Sequence, residues 1–116
     1  MPTVNTYFED EKLVPQLDAI TPELKEVVAE QLTCGDRALQ PNEVTVRKLL
    51  SRGKGLMADV EMDIVAAPYK ERVERQDEIC RFIRRFVLDN LEGVNDVQVW
   101  LPLSELGHSM EESKDD

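Results

Sequence analysis

The sequence has few of the residues that build metal sites. Its 116 residues include 2 cysteines and 1 histidine, whereas a structural zinc site normally uses four such ligands. Cys34 and Cys80 are not in a CxxC pair, and isolated cysteines of this kind most often act as small buried hydrophobes. We therefore expect no metal site.

Basic residues are also scarce. Lys and Arg number 14 against 24 Asp and Glu, which gives a net charge of −10. The basic residues are interspersed with acids instead of forming a stripe. Because a phosphate backbone or an anionic membrane repels such a protein, we expect neither nucleic acid nor membrane among its partners.

Long apolar runs are absent, which excludes a transmembrane helix. The N-terminus has no basic segment followed by an apolar one, so no secretion signal is expected. Together with the isolated cysteines, this favours a reducing, cytoplasmic compartment. The length fits one domain, which we place at residues 1–109, followed by an acidic disordered tail at 110–116.

The hydrophobic pattern predicts an α+β fold. Alternating residues predict four strands, at 3–8, 44–50, 58–66 and 96–103. Residues 13–20 are interpreted as a connection. A first helix is predicted to begin at Thr21-Pro22-Glu23 and to end at Gly35, and a second runs from about Lys70 to Leu91. The expected result is two β-α-β units forming a four-stranded sheet with both helices on one face.

Two other short patterns do not indicate a ligand. The glycine link at 51–55 lacks the spacing of a phosphate-binding loop. The acidic row Asp59, Glu61 and Asp63 is more typical of a solvated sheet face than of a calcium site. The predicted sheet face without helices carries a mixed set of side chains, which favours oligomerisation through it. They are Asn5, Tyr7, Thr45, Arg47 and Trp100.

Pro2 is the residue with the most distinctive chemistry. A proline after Met1 permits removal of that methionine, which leaves a secondary amine at the start of a strand. Burial and nearby positive charge both lower the pKa of such an amine. A neutral amine near physiological pH can take a proton from carbon next to a carbonyl and return it elsewhere.

The chain resembles the tautomerase superfamily, which includes 4-oxalocrotonate tautomerase, 5-carboxymethyl-2-hydroxymuconate isomerase, macrophage migration inhibitory factor and the haloacrylate dehalogenases. Four features carry the resemblance across about residues 2 to 106. They are Pro2 opening a strand, two β-α-β units, the entry Pro41, Val44, Val46, Arg47 into the second strand, and the alternation of Val, Gln, Val and Trp at 97–100.

The resemblance implies a homotrimer and a reaction. Pro2 would be the general base and acid in tautomerisation or double-bond isomerisation of a small unsaturated oxo acid. Arg47, with Lys70 or Arg72, would bind the substrate carboxylate, and Arg75 remains an open candidate. The site residues that would reach a neighbouring subunit are Gln98 and Trp100. No metal or organic cofactor is expected, because the substrate carbonyl accepts the electrons.

Two other functions stay open from the sequence. One is a non-catalytic trimeric interaction protein in which Pro2 only begins a strand. The other is a dehalogenase or hydratase of the same superfamily, with Pro2 as an acid and Glu105 activating water.

Overall fold

The structure is a computed structural model that describes residues 2–35, 38–51 and 55–103. The elements in chain order are β1 (Thr3–Phe8), α1 (Val14–Leu32), β2 (Thr45–Leu50), β3 (Val60–Val65), α2 (Lys70–Glu74), α3 (Gln76–Asn90) and β4 (Val97–Trp100). Single 3-10 turns lie at Glu11–Leu13 and Pro41–Glu43. Among the described helices, none has both the length and the apolarity to cross a membrane.

The four strands form one mixed sheet in the order β2-β1-β3-β4. Strand β1 lies in the centre, parallel to β2 and antiparallel to β3, and β3 is parallel to β4. This arrangement confirms the predicted α+β fold with a four-stranded sheet and two main helices. The predicted tail at 110–116 and most of the glycine link at 51–55 lie outside the described residues.

One face of the sheet and the inner faces of α1 and α3 form the hydrophobic core. Alternate residues of β1 and β3 are buried, as the period of two requires. The most deeply buried apolar side chains include Val4, Phe8, Val60, Met62, Ile64, Val97, Leu24, Val28, Leu32, Ile79, Ile83 and Val87. Burying each stabilises the fold by about 1.5–3 kcal/mol. Both helices pack against this face, so no helix of the described residues covers the opposite face, called the open face below.

The prediction for the start of the first helix was wrong. Helix α1 begins at Val14, with Pro15 in its first turn, and Pro22 lies inside the helix. Residues 13–20 were predicted to be a connection, but all except the first belong to α1 and include its buried residues Leu17 and Ile20. A proline suits the first turn of a helix. The sequence has two prolines that could mark this start, Pro15 and Pro22, and the helix begins at the first of them.

Pro22 should therefore cost stability, because it has no N–H to donate to the carbonyl of Asp18. We expect Pro22→Ala to raise the free energy of unfolding by about 2 kcal/mol, which is the helix-interior penalty of proline less its entropic benefit in the unfolded chain. Urea unfolding followed by circular dichroism measures this change. An unchanged or lower midpoint would contradict the expectation.

The second predicted helix is two helices, interrupted at Arg75. The helical spacing of apolar residues predicts a buried position at Val73. In the structure Val73 is 48% exposed, and its neighbour Arg72 is buried instead. Strands β3 and β4 are also shorter than predicted. Beyond them, Ala66 and Leu103 form an isolated parallel bridge that continues their pairing.

Candidate functional site

Pro2 is buried at the end of the central strand. Its carbonyl accepts a hydrogen bond from the backbone N–H of Thr45 at 3.0 Å, which ties it to the start of β2. On the other side, Thr3 pairs with Val65. Continuing that antiparallel register by one residue puts Pro2 opposite Ala66. The position of Pro2 is thus determined by the strands on both sides.

Arg72 lies at the same end of the sheet and is only 5% exposed. Its Nε donates to the carbonyl of Leu32 at 3.0 Å, and its Nη1 donates to the carbonyl of Ala67 at 3.1 Å. The guanidinium also stacks on the ring of Tyr69, with 4.6 Å between Cζ and the ring centroid. Arg72 therefore connects the end of α1 to Ala67. Ala67 directly follows Ala66, the residue opposite Pro2.

Arg75 reaches the same helix end. Its Nη1 donates to the carbonyl of Gln31 at 3.4 Å, and its Nη2 donates to the side-chain Oε1 of Gln31 at 3.2 Å. A third contact joins its Nε to Glu78 at 3.3 Å. Because the C-terminus of a helix carries partial negative charge, Arg72 and Arg75 are both favourably placed there.

Arg72 retains capacity to bind an anion. Within the part of the chain that the structure describes, its Nη2 donates to no other group and no carboxylate lies within 4.0 Å of the guanidinium. A carboxylate approaching Nη2 would meet a guanidinium that is already held in place. Such a charge-assisted hydrogen bond would require little further ordering of the side chain.

Lys70 begins α2 and is fully accessible. Its Nζ lies 3.9 Å from the carboxylate of Glu74, and 87% of its side chain is exposed. An ion pair of this kind contributes little to stability. Lys70 is therefore a mobile charge near Arg72, without a fixed orientation toward Pro2.

Arg47 lies on the other face of the sheet. It pairs with Asn5 of β1, Asn5 pairs with Asp63 of β3, and Asp63 pairs with Trp100 of β4. Paired residues share a face, so this row crosses the face that has no helices. Side chains alternate between faces along β1, so Pro2 lies on the same face as the buried residues Val4 and Phe8. Within one chain, therefore, Arg47 and Pro2 are not brought together.

The centre of this open face carries a hydrogen-bonded group. The amide Nδ2 of Asn5 donates to Asp63 at 2.8 Å. The pKa of Tyr7 is raised by burial and then by the neighbouring Asp63 carboxylate. The positive charge of Arg47 acts in the opposite direction on the Tyr7 pKa.

Gln98 and Trp100 belong to the same open face, at its far side. Gln98 pairs with Glu61, and Trp100 is 47% exposed. The six predicted site residues thus fall into two groups. Pro2, Lys70 and Arg72 gather at one end of the sheet, whereas Arg47, Gln98 and Trp100 lie across its open face.

The described residues contain no group of three or more His, Cys, Asp or Glu side chains close enough to hold a metal ion. The end of the sheet around Pro2 instead combines this buried proline with the guanidinium groups of Arg72 and Arg75. Guanidinium groups of this kind suit a small anion.

The comparisons with known proteins place the fold. No family model matches the chain, and no curated protein matches it. Among solved structures, it is similar to a macrophage migration inhibitory factor-like protein from Entamoeba histolytica, at 11% identity over 90% of this chain and 88% of that one, with a TM-score of 0.63. A domain of unknown function (DUF1904) from Sebaldella termitidis matches at 12% identity over 90% of each chain, with a TM-score of 0.47. The chain therefore shares the fold of the migration inhibitory factor-like protein, in agreement with the predicted α+β fold.

Proposed function

We propose that the protein is a tautomerase or isomerase that moves a proton on a small unsaturated oxo acid, with the amine of Pro2 as general base and acid. The observation that carries the proposal is the buried Arg72 guanidinium. Its Nη1 donates a hydrogen bond to the carbonyl of Ala67, and Ala67 directly follows Ala66, the residue opposite Pro2. A base and a fixed cation then lie at the same end of the sheet.

The chemistry follows from that pairing. An ordinary α-amino group has a pKa of about 7.7–8.0. Burial and nearby positive charge both disfavour the ammonium form of an amine. The neutral amine removes a proton from carbon next to the carbonyl, and the resulting ammonium returns a proton at another position. The substrate carbonyl carries the transient negative charge, so the reaction needs no cofactor.

The substrate carboxylate is assigned to Arg72, with Arg75 three residues further along the chain as its partner. Arg72 offers an unused Nη2 group, and Arg75 lies at the same helix end. Lys70 would add positive charge without a fixed contact. This assignment places Arg72 ahead of Arg47 as the residue that binds the carboxylate.

Arg47, Gln98 and Trp100 join the site only if copies of the chain associate. We propose a homotrimer in which the open sheet faces turn inward, because this face carries both charged groups and the partly exposed Trp100. Multi-angle light scattering should give three times the mass of the chain. A stable monomer at micromolar concentration would contradict the trimer and leave those three residues out of the site.

The test of the reaction uses two forms of the same chain. With Met1 removed, as intact mass would establish, the protein should ketonise phenylenolpyruvate or 2-hydroxymuconate. A form that keeps Met1 has the nitrogen of Pro2 in an amide, which is not basic, and should be inactive. Equal activity of the two forms would exclude Pro2 as the base.

A non-catalytic trimeric interaction protein is the second candidate. It is favoured by the use of Arg72 and Arg75 as donors to backbone carbonyls of α1, which gives both residues a structural role without a substrate. Inactivity of the processed form toward both substrates would support this function. The dehalogenase or hydratase alternative relies on Glu105, which lies outside the described residues.

A further inference from the structure

A second concave surface lies between α3 and the outer edge of β4, two strands across the sheet from β1. Three side chains of α3, each four residues from the next, face this edge: Gln76, Cys80 and Arg84. Gln76 Nε2 donates to the carbonyl of Leu101 at 2.6 Å, and Arg84 Nε donates to the carbonyl of Val97 at 2.8 Å. The helix and the strand edge are thus joined at both ends of the surface.

Between these two bonds, the peptide group of Val99 is left facing outward. The carbonyl of Asp96 accepts from Val60 of β3, so in a parallel ladder the alternate residues Val97, Val99 and Leu101 direct their backbone groups away from β3. The carbonyls of Val97 and Leu101 are occupied by α3. Among the described residues, nothing hydrogen bonds to the outward groups of Val99, which leaves one donor and one acceptor there.

The surface is a groove of about 530 Å³, which is within the range of small-molecule sites. Its floor is mostly apolar and includes Val99, Leu101 and Pro102, and the half-buried thiol of Cys80 also lines it. Burial, followed by the charge of Asp77, raises the pKa of Cys80. The thiol is therefore protonated and apolar near neutral pH.

The groove is positively charged although the chain has a net charge of −10. Arg81 and Arg84 both line it, against one carboxylate, Asp77. Within the described ranges, Arg81 makes no ion pair or side-chain hydrogen bond, and Arg84 uses only its Nε. Both Nη groups of a fixed guanidinium are thus available to a carboxylate, sulfonate or phosphate oxygen.

We infer that this groove binds a small organic anion with a flat apolar body. The anionic group would bind Arg84 and Arg81, the apolar body would cover Val99 and Leu101, and a polar substituent would pair with the free peptide group of Val99. Among the groove's lining residues, only Trp100 is also proposed for the Pro2 site. Binding here does not depend on the proposed reaction.

The probe is 8-anilinonaphthalene-1-sulfonate, an anion with a flat apolar body. Its fluorescence should rise on binding, and energy transfer from Trp100, the only tryptophan, should accompany the rise. Replacing both Arg81→Gln and Arg84→Gln should weaken binding by about 10-fold or more, since charged hydrogen bonds are lost. Glutamine at 84 keeps a donor for the Val97 carbonyl.

Two controls locate the probe. Arg85→Gln removes one positive charge from α3 at an exposed position outside the groove, and it should leave the dissociation constant unchanged. Uncharged N-phenyl-1-naphthylamine should bind the chain and the double variant equally. If Arg85→Gln weakens binding as much as the double variant, the attraction is only a general charge effect and the proposal fails.

Cys80 supplies a test that leaves the arginines unchanged. In a Cys34→Ser chain, N-ethylmaleimide can modify only Cys80. At a free probe concentration about ten times its dissociation constant, an occupied groove should slow this modification by about 10-fold. An unchanged rate would show that the probe binds elsewhere, and this result would overturn the assignment even if the arginine variants failed to fold.

Discussion

Replacing Pro2 with alanine is expected to lower kcat for ketonisation of phenylenolpyruvate by about 10²- to 10⁴-fold, the usual value of general acid–base catalysis. The variant should retain its fold, because Pro2 contributes a carbonyl and no N–H to the sheet. Proline fixes the torsion that directs its nitrogen, whereas the amine of alanine rotates and is more exposed to water. The loss should therefore appear in kcat more than in KM.

The matched control is Pro15→Ala, which replaces an exposed proline in the first turn of α1. It should leave kcat unchanged. For the unmodified chain, kcat/KM should increase with pH as the Pro2 ammonium loses its proton. The rise is expected because only the neutral amine can accept a proton from the substrate. Equal activity of Pro2→Ala and the unmodified chain would assign the reaction to another group.

The sheet was largely predictable because its signal is local. In β1 and β3, every second residue is buried and most of these residues are apolar, so the two faces of the strands follow from the sequence. The crossover order gives two adjoining β-α-β units. Strand β2 carries a weaker signal, since it lies at the edge of the sheet and is mostly exposed.

The burial of Arg72 was not predictable, because it depends on contacts with residues that are distant in sequence. An arginine among Lys70, Glu71 and Glu74 has the pattern of a solvated helix face. Its partners, the carbonyls of Leu32 and Ala67, have no side-chain signature. The helix pattern therefore favoured burial of Val73, and the burial of Arg72 is evident only once α1 and α2 are placed together.

The candidate site was predictable as a set of residue types but not as an arrangement. Pro2 and the arginines could be identified by their chemistry. Whether Arg47 shares a face with Pro2 depends on how β2 is aligned with β1. A shift of one residue in this alignment moves a side chain to the other face of the sheet. The structure puts Arg47 opposite Asn5 on the open face, away from Pro2 of the same chain.

Arg72→Gln is expected to raise KM for a carboxylate substrate by about 10- to 150-fold, as the loss of a charged hydrogen bond worth about 1.5–3 kcal/mol implies. KM for an uncharged ester of the same skeleton should change far less. The variant should also lower the free energy of unfolding by about 1–3 kcal/mol, because the carbonyls of Leu32 and Ala67 lose their donor. Steady-state kinetics and urea unfolding measure the two effects separately.

Arg47→Gln is the control that separates recognition from scaffolding. It removes the same charge from an exposed strand position that has no ion pair among the described residues. Stability should stay the same, and KM for the carboxylate should change less than in Arg72→Gln. If Arg72→Gln affects only stability while Arg47→Gln raises KM for the acid and not for the ester, the carboxylate binds on the open face. The site would then be formed between copies of the chain, and Arg72 would only hold the end of α1 against the segment opposite Pro2.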